Sequence, residues 1–232
     1  MHPKIVSRDA WLKARKKLLN KEKKFTRDRE KLAAERRQLP WVKVEHDYVF
    51  EGPNGRESLS DLFGNNSQLV VYHFMFGPDW KEGCAHCSFW ADHYDGMVPH
   101  LGARDTSFAV ISRAPRSEIA PFQKRMGWTF KWLSSGQNNF NYDFHVSFHP
   151  EDLKKGRAVY NYAKFTWDMS DREGISVFTK NKKGEIFHTY STFARGIDHV
   201  NPTYQFLDLL PKGRDERGRG QFWVKYHDRY KR

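Results

Sequence analysis

The chain has 232 residues, 38% hydrophobic and 16% aromatic, which is enough to bury one good core with appendages and excludes disorder throughout. The longest apolar run, LVVYHFMF at 69–76, is broken by His73 and falls far short of the ~20 residues of a membrane span. The net charge of +12 sits at the ends: residues 1–40 hold 14 Lys/Arg against 5 Asp/Glu and residues 211–232 hold 8 against 3, so the body is close to neutral.

The opening MHPKIVSRDAW has no apolar signal region, and the basic segment after it carries acids that transit peptides avoid. The sequence therefore reads as a soluble, cytoplasmic protein. Basic arms of this kind attract nucleic acid or anionic surfaces, and serve equally as solvated helix faces. No nucleic-acid signature accompanies them, and the aromatics lie in the strands rather than among the basic runs, so nucleic acid is not the expected partner.

Residues 7–38 are charged and helix-favouring, without Gly or Pro, and predict one long basic helix that Pro40 stops. Trp11, Leu18, Phe25 and Leu32 recur every seven residues as a narrow apolar stripe, which suits packing on the domain surface or self-association as a homodimer. Residues 42–49 alternate loosely, GPNG at 52–55 is a turn, and 58–63 predicts a short helical turn.

The run at 69–76 predicts a central strand covered on both faces. A helix is expected over 89–101, a second buried strand at 107–112 (SFAVIS), a helix at 117–126 and a third strand at 129–133. This strand, helix, strand, helix, strand rhythm demands a parallel sheet with right-handed crossovers. Residues 135–173 are irregular, polar and aromatic, and read as an insertion covering the sheet edge or the site. A hairpin at 176–180 and 186–191 and a helix at 201–210 follow. The domain reading is a basic extension at 1–40, an α/β domain at 41–210 and a basic tail at 211–232.

The chemistry gathers at Cys84-Ala85-His86-Cys87, directly after the core strand. Two cysteines exclude a four-thiolate zinc site and a secreted disulfide framework, leaving a redox dithiol, a mixed Cys/His metal site, or accident. A thiol where a helix begins is favoured as thiolate by backbone N–H groups and the helix dipole, and Cys87 one turn later is placed to resolve a mixed disulfide. A protonated His86 between them would stabilise the thiolate further and make the disulfide more oxidising. A metal would need His86 and His93 beside the thiols, and the Cys-x2-Cys-x5-His spacing is not a zinc pattern, so no metal or other cofactor is expected. His145 and His149 stand four apart in an aromatic segment and read as hydrogen-bonded or surface side chains.

The sequence resembles a thioredoxin-like family catalogued as domain of unknown function 899, described as predicted dithiol-disulfide oxidoreductases. The likeness spans nearly the whole chain: the basic helix running into Leu39-Pro40-Trp41, then YVFEGPNGRESLSDLF, QLVVYHFMFGPDW with CAHCSFWAD, STFARGIDHVN and FWVKYHDRY. It implies a thioredoxin-like mixed sheet of four or five strands flanked by helices, with Cys84 the exposed nucleophile and Cys87 the resolving thiol. Ser88 follows as in the family pattern, Trp80 lies in the approach loop, and His86 matches the His of strongly oxidising relatives, with Ala85 in place of their proline. Aligning Gly174-Ile175-Ser176 with the usual Gly-Ile-Pro puts Ser176 where thioredoxins carry a cis-proline, which argues against broad protein-disulfide reduction. The peroxiredoxin pattern requires a Thr three residues before the nucleophile, and that position is Lys81.

The expected activity is thiol-disulfide exchange with a protein or small-molecule disulfide or dithiol, served by an electron-donor protein. The alternative is a thioredoxin-like scaffold that binds an anionic partner, or a redox-gated interaction module.

Overall fold

The structure, a computed structural model, describes residues 4–231 and divides into two compact units, residues 4–40 and the chain from Trp41 onward. In the first, α1 (Arg8–Arg37) starts where the Ser7 hydroxyl accepts from the Ala10 N–H at 3.3 Å. Asp9 in its first turn and Arg36 and Arg37 in its last both suit the helix dipole. None of its residues is buried. Among the described residues no helix is long and apolar enough to cross a membrane.

The second unit is built on one mixed sheet of eight strands, in the order β1 (Val42–Lys43), β10 (Ile186–Phe193), β9 (Gly174–Lys180), β4 (Gln68–His73), β5 (Thr106–Ser112), β6 (Trp132–Ser134), β2 (Val49–Gly52), β3 (Gly55–Ser58). β4, β5 and β6 are parallel, as the βαβ rhythm requires, and every other pairing is antiparallel. The sheet is wider than four or five strands because the β2–β3 hairpin pairs beyond β6 and the short β1 beyond β10.

β4 explains its own composition. Leu69 and Val71 point to one face, among Phe50, Phe63, Ile111 and Phe178; Tyr72 and, just past the strand, Phe74 point to the other, among Trp90, Tyr94, Phe122 and Trp132. Both faces are dry, so the strand reads as a continuous apolar run rather than an alternation. The second face is covered by α2 (Ala85–Ala91), α3 (Tyr94–Gly102), α4 (Arg116–Arg125) and α7 (Pro202–Leu207).

The helix expected over 89–101 is two helices. At His93 the backbone bonds back to Trp90 rather than continuing the α pattern, and the neighbouring side chains are engaged elsewhere: Asp92 accepts from the Trp128 indole at 2.9 Å, and the His93 ring pairs with Thr203 at 2.9 Å. The third parallel strand starts at Trp132, three residues later than expected.

Residues 135–173 contain α5 (Phe140–Asp143), whose Phe140 packs into the core beside Tyr48, Phe50 and Phe178, and α6 (Pro150–Lys154) and the small β7–β8 hairpin (Val159–Tyr160, Ala163–Lys164), gathered on a satellite cluster of Val146, Phe148, Tyr160, Phe165 and Phe193. Asp171 anchors this segment: it holds Arg113 through two hydrogen bonds, at 2.7 and 2.5 Å, and accepts from Ser147 and Ser170.

The basic segment at 211–231 lies across the helices. Val224 is buried, Trp223 packs on Phe89, and Arg229 and Arg125 both pair with Glu82. Much of its charge is met locally: Arg214 pairs with Asp198 and Asp208, and Arg217 with Asp215.

Candidate active site

Beyond β4 the backbone clamps the cysteine pair. The Cys84 N–H donates to the Met75 carbonyl at 2.9 Å, and the Met75 N–H donates to the Cys87 sulfur at 3.4 Å. Gly83 is required between them, since a β-carbon there would meet the rings of Phe74 and Phe122 at 2.6 and 2.9 Å. α2 then starts at Ala85 with Cys84 as its cap, and the Ser88 hydroxyl donates back to the Cys84 carbonyl at 2.9 Å.

Both cysteines are free thiols, and their environments differ. Cys84 is partly exposed, and its pKa is lowered chiefly by the Cys87 thiol, helped by the backbone N–H groups of Cys87 and His86, against the cost of burial. Cys87 is 2% exposed, and burial, reinforced by Cys84, pushes its thiol well above the ordinary value. Cys84 is thereby the more readily ionised of the two, and Cys87 the one that holds its proton longer.

A cleft of about 440 Å³ opens on the pair. Tyr72, Met75, Trp90 and Met169 give it apolar walls, and Arg172, Glu173, Arg195, Asp198, Arg214 and Glu216 add charges of both signs to its lining. The negative charge of Glu173 raises both cysteine pKa values. Burial raises the Tyr72 and Tyr94 hydroxyls, and Cys87 beside them adds to it.

Of the residues expected from sequence, Cys84, Cys87 and His86 come together at this cleft. His86 is exposed at its rim and acts on the Cys84 sulfur through its backbone N–H. Ser88 is buried in α2 and serves the helix, not the cleft. Trp80 lies in the approach loop with its ring against the core, its indole nitrogen covering Gly77.

Ser176 is elsewhere. It pairs with Val71, on the far face of the sheet, and its hydroxyl bonds to the His73 ring and to Ser191, each at 2.8 Å. The residues just before β9 that line the cleft with the thiols are Arg172 and Glu173, which the Gly-Ile-Ser alignment passes over. His93, the other metal candidate, is engaged with Thr203, and among the described residues no group of three or more His, Cys, Asp or Glu stands together as a metal site.

The model of a bacterial protein family of unknown function, DUF899, matches residues 1–230. The chain belongs to that family. No curated protein matches it. Solved structures similar to this member of the family include a peroxiredoxin Q from Xanthomonas campestris, at 10% identity and TM-score 0.50, covering 73% of this chain and 96% of that one. A peroxidoxin from Mycobacterium tuberculosis is similar at 15% identity and TM-score 0.47, covering 71% of this chain and 95% of that one. At such identities the likeness concerns the fold, and the DUF899 fold seen here is thioredoxin-like.

Proposed function

We propose that the protein is a thiol-disulfide oxidoreductase in which Cys84 attacks and Cys87 resolves. The observation that carries this reading is the asymmetry of the pair: a partly exposed sulfur with lowered pKa facing a cleft, and a buried sulfur with raised pKa one helical turn on. The Cys84 thiolate attacks one sulfur of a substrate disulfide, whose other half leaves as a thiolate. Cys87 then gives up its proton and attacks Cys84, releasing the second half and closing the 84–87 disulfide. A dithiol electron donor then reduces the 84–87 disulfide to two thiols and leaves as a disulfide itself; run backwards, the cycle oxidises a dithiol partner.

In this reading residues 41–210 are the catalytic domain, 135–173 shape access to it, and 211–231 brace it. Free thiols and this exchange chemistry suit the reducing cytoplasm. The fold neighbours are peroxiredoxins, which makes peroxide the competing electrophile; Lys81 in place of the threonine of that pattern speaks against it.

The test is reaction of the reduced protein with a disulfide and with hydrogen peroxide. Cys87→Ser is expected to accumulate a mixed disulfide on Cys84, seen by mass, and Cys84→Ser to abolish exchange. Exchange that survives Cys84→Ser, or a pair oxidised by peroxide alone, refutes the assignment.

A further inference from the structure

We infer that the cleft takes a low-molecular-weight disulfide whose two halves each carry an α-amino-acid head group, an ammonium beside a carboxylate. The inference rests on the disulfide-exchange reading above and names its substrate.

Size comes first. The cleft holds about 440 Å³, within the range of small-molecule sites, and the nucleophile is recessed between the start of β9, the turn at 194–198 and the strap at 214–221. A disulfide on a folded protein would have to pass those walls; a small one fits inside them.

Charge comes second. Arg172 and Glu173 stand 3.9 Å apart, too far for a hydrogen bond, and the buried Nε of Arg172 has no hydrogen-bond partner. The Arg172 guanidinium is held in place by the rings of Tyr160, Phe165 and Trp167, at 5.1, 5.7 and 5.7 Å. A carboxylate in the cleft pairs with the exposed part of the Arg172 guanidinium, which Glu173 leaves without a close carboxylate partner, and an ammonium pairs with Glu173. A second charged group lines the same cleft: Asp198 pairs with both Arg195, at 3.0 Å, and Arg214, at 2.8 Å, and Arg195 is 81% exposed, so its guanidinium stays open to a second carboxylate. Charges of both signs at two places in a cleft that opens on one attacking sulfur match a symmetric disulfide with two zwitterionic heads, and Met75 and Met169 of the same lining offer its CH2–S–S–CH2 centre apolar contact.

The reaction balances without a further component. The Cys84 thiolate forms a bond to one substrate sulfur and the substrate S–S bond breaks, releasing one amino-acid thiolate. Cys87 loses its proton and attacks Cys84, and the second thiolate leaves. The substrate gains two electrons and the protein pair loses two.

The experiment follows loss of protein thiols after mixing reduced protein with cystine, cystamine (ammonium only), dithiodipropionate (carboxylate only) and bis(2-hydroxyethyl) disulfide (neutral). Each rate is divided by that of the same disulfide with dithiothreitol, which removes intrinsic reactivity. Cystine is expected to exceed the neutral disulfide by about tenfold or more, with the compounds that carry charge of one sign only between. Arg172→Met and Glu173→Gln are expected to bring that ratio to within about threefold of unity. Equal normalised rates across the four compounds overturn the inference, as do substitutions that lower all four alike; the wild-type series alone decides it if a variant does not fold. If no disulfide oxidises the pair, the exchange reading falls with it; if the neutral one reacts and cystine gains nothing, only the inference falls.

Discussion

The Tyr226 hydroxyl donates a 2.6 Å hydrogen bond to the carbonyl of Gly83, the residue before Cys84. Around it Arg229 and Arg125 pair with Glu82, Asp228 pairs with Arg125, and the His227 ring pairs with Asp92. The loop before Cys84 is therefore held between Met75, just past β4, and the C-terminal strap formed by residues 211–231.

Tyr226→Phe removes that hydrogen bond while leaving the ring on Phe122. The expected cost is about 1 kcal/mol of stability, with faster alkylation of Cys84 in the folded protein, because its loop opens more often. Urea unfolding and timed mass analysis of the thiols check both. An unchanged alkylation rate would mean that the strap does not restrain the loop.

Alkylation of the two thiols should separate with pH. Cys84 is expected to react at a pH where an ordinary thiol is still protonated, and Cys87 to stay inert until the fold opens. Glu173→Gln removes a negative charge that raises both thiols, so the Cys84 profile should move to lower pH. Movement in the opposite direction would show that Glu173 acts on the pair other than through its charge.

Asp171 is 2% exposed and is the main counter-charge of Arg113. Asp171→Asn leaves the half-buried guanidinium without its counter-charge, an expected loss of about 3 kcal/mol. Arg113→Met with Asp171→Leu together should cost less than the single change. Because Asp171 directly precedes Arg172 and Glu173, the single variant should also slow exchange, which separates it from a change that affects stability alone.

His73 is fully buried, and burial lowers its pKa from 6.5 to about 3. The ring is neutral in the folded protein, while the unfolded chain takes up a proton below pH 6.5. Its contribution to stability is therefore intact above 6.5 and declines as pH falls toward about 3. His188, also lowered by burial, adds with the same sign. Between pH 7 and pH 5 the loss from His73 should be about 2 kcal/mol, and His73→Leu should flatten the acid side of a urea-midpoint profile. A profile with the same slope in both proteins would assign the acid sensitivity to other groups.

What the sequence made legible was local. β4, β5 and the crossover between them follow from apolar runs and turn residues, and the Cys84–Cys87 spacing announces itself. Ser176 was misplaced because a short likeness, Gly-Ile-Ser for Gly-Ile-Pro, says nothing of strand register. In a strand a displacement of one residue exchanges the two faces, and here the pairing of Ser176 with Val71 puts it on the face away from the thiols. Arg172 and Glu173 carried no motif, and their distance from Cys84 along the chain hid them. The strap was legible only as charge, since nothing local distinguishes an arginine in solvent from one bound to Glu82. The split at Asp92–His93 likewise depends on Trp128 and Thr203, which no helix-propensity reading includes.

Gly83 and Tyr226 are 143 residues apart, and that order has a consequence for biosynthesis. A ribosome delivers both thiols well before it delivers the tyrosine that steadies them. Until then Cys84 rides on an unbraced loop in a growing chain, open to whatever oxidant it meets. The hydrogen bond that steadies the Cys84 loop thus forms only after every strand of the sheet has been synthesised.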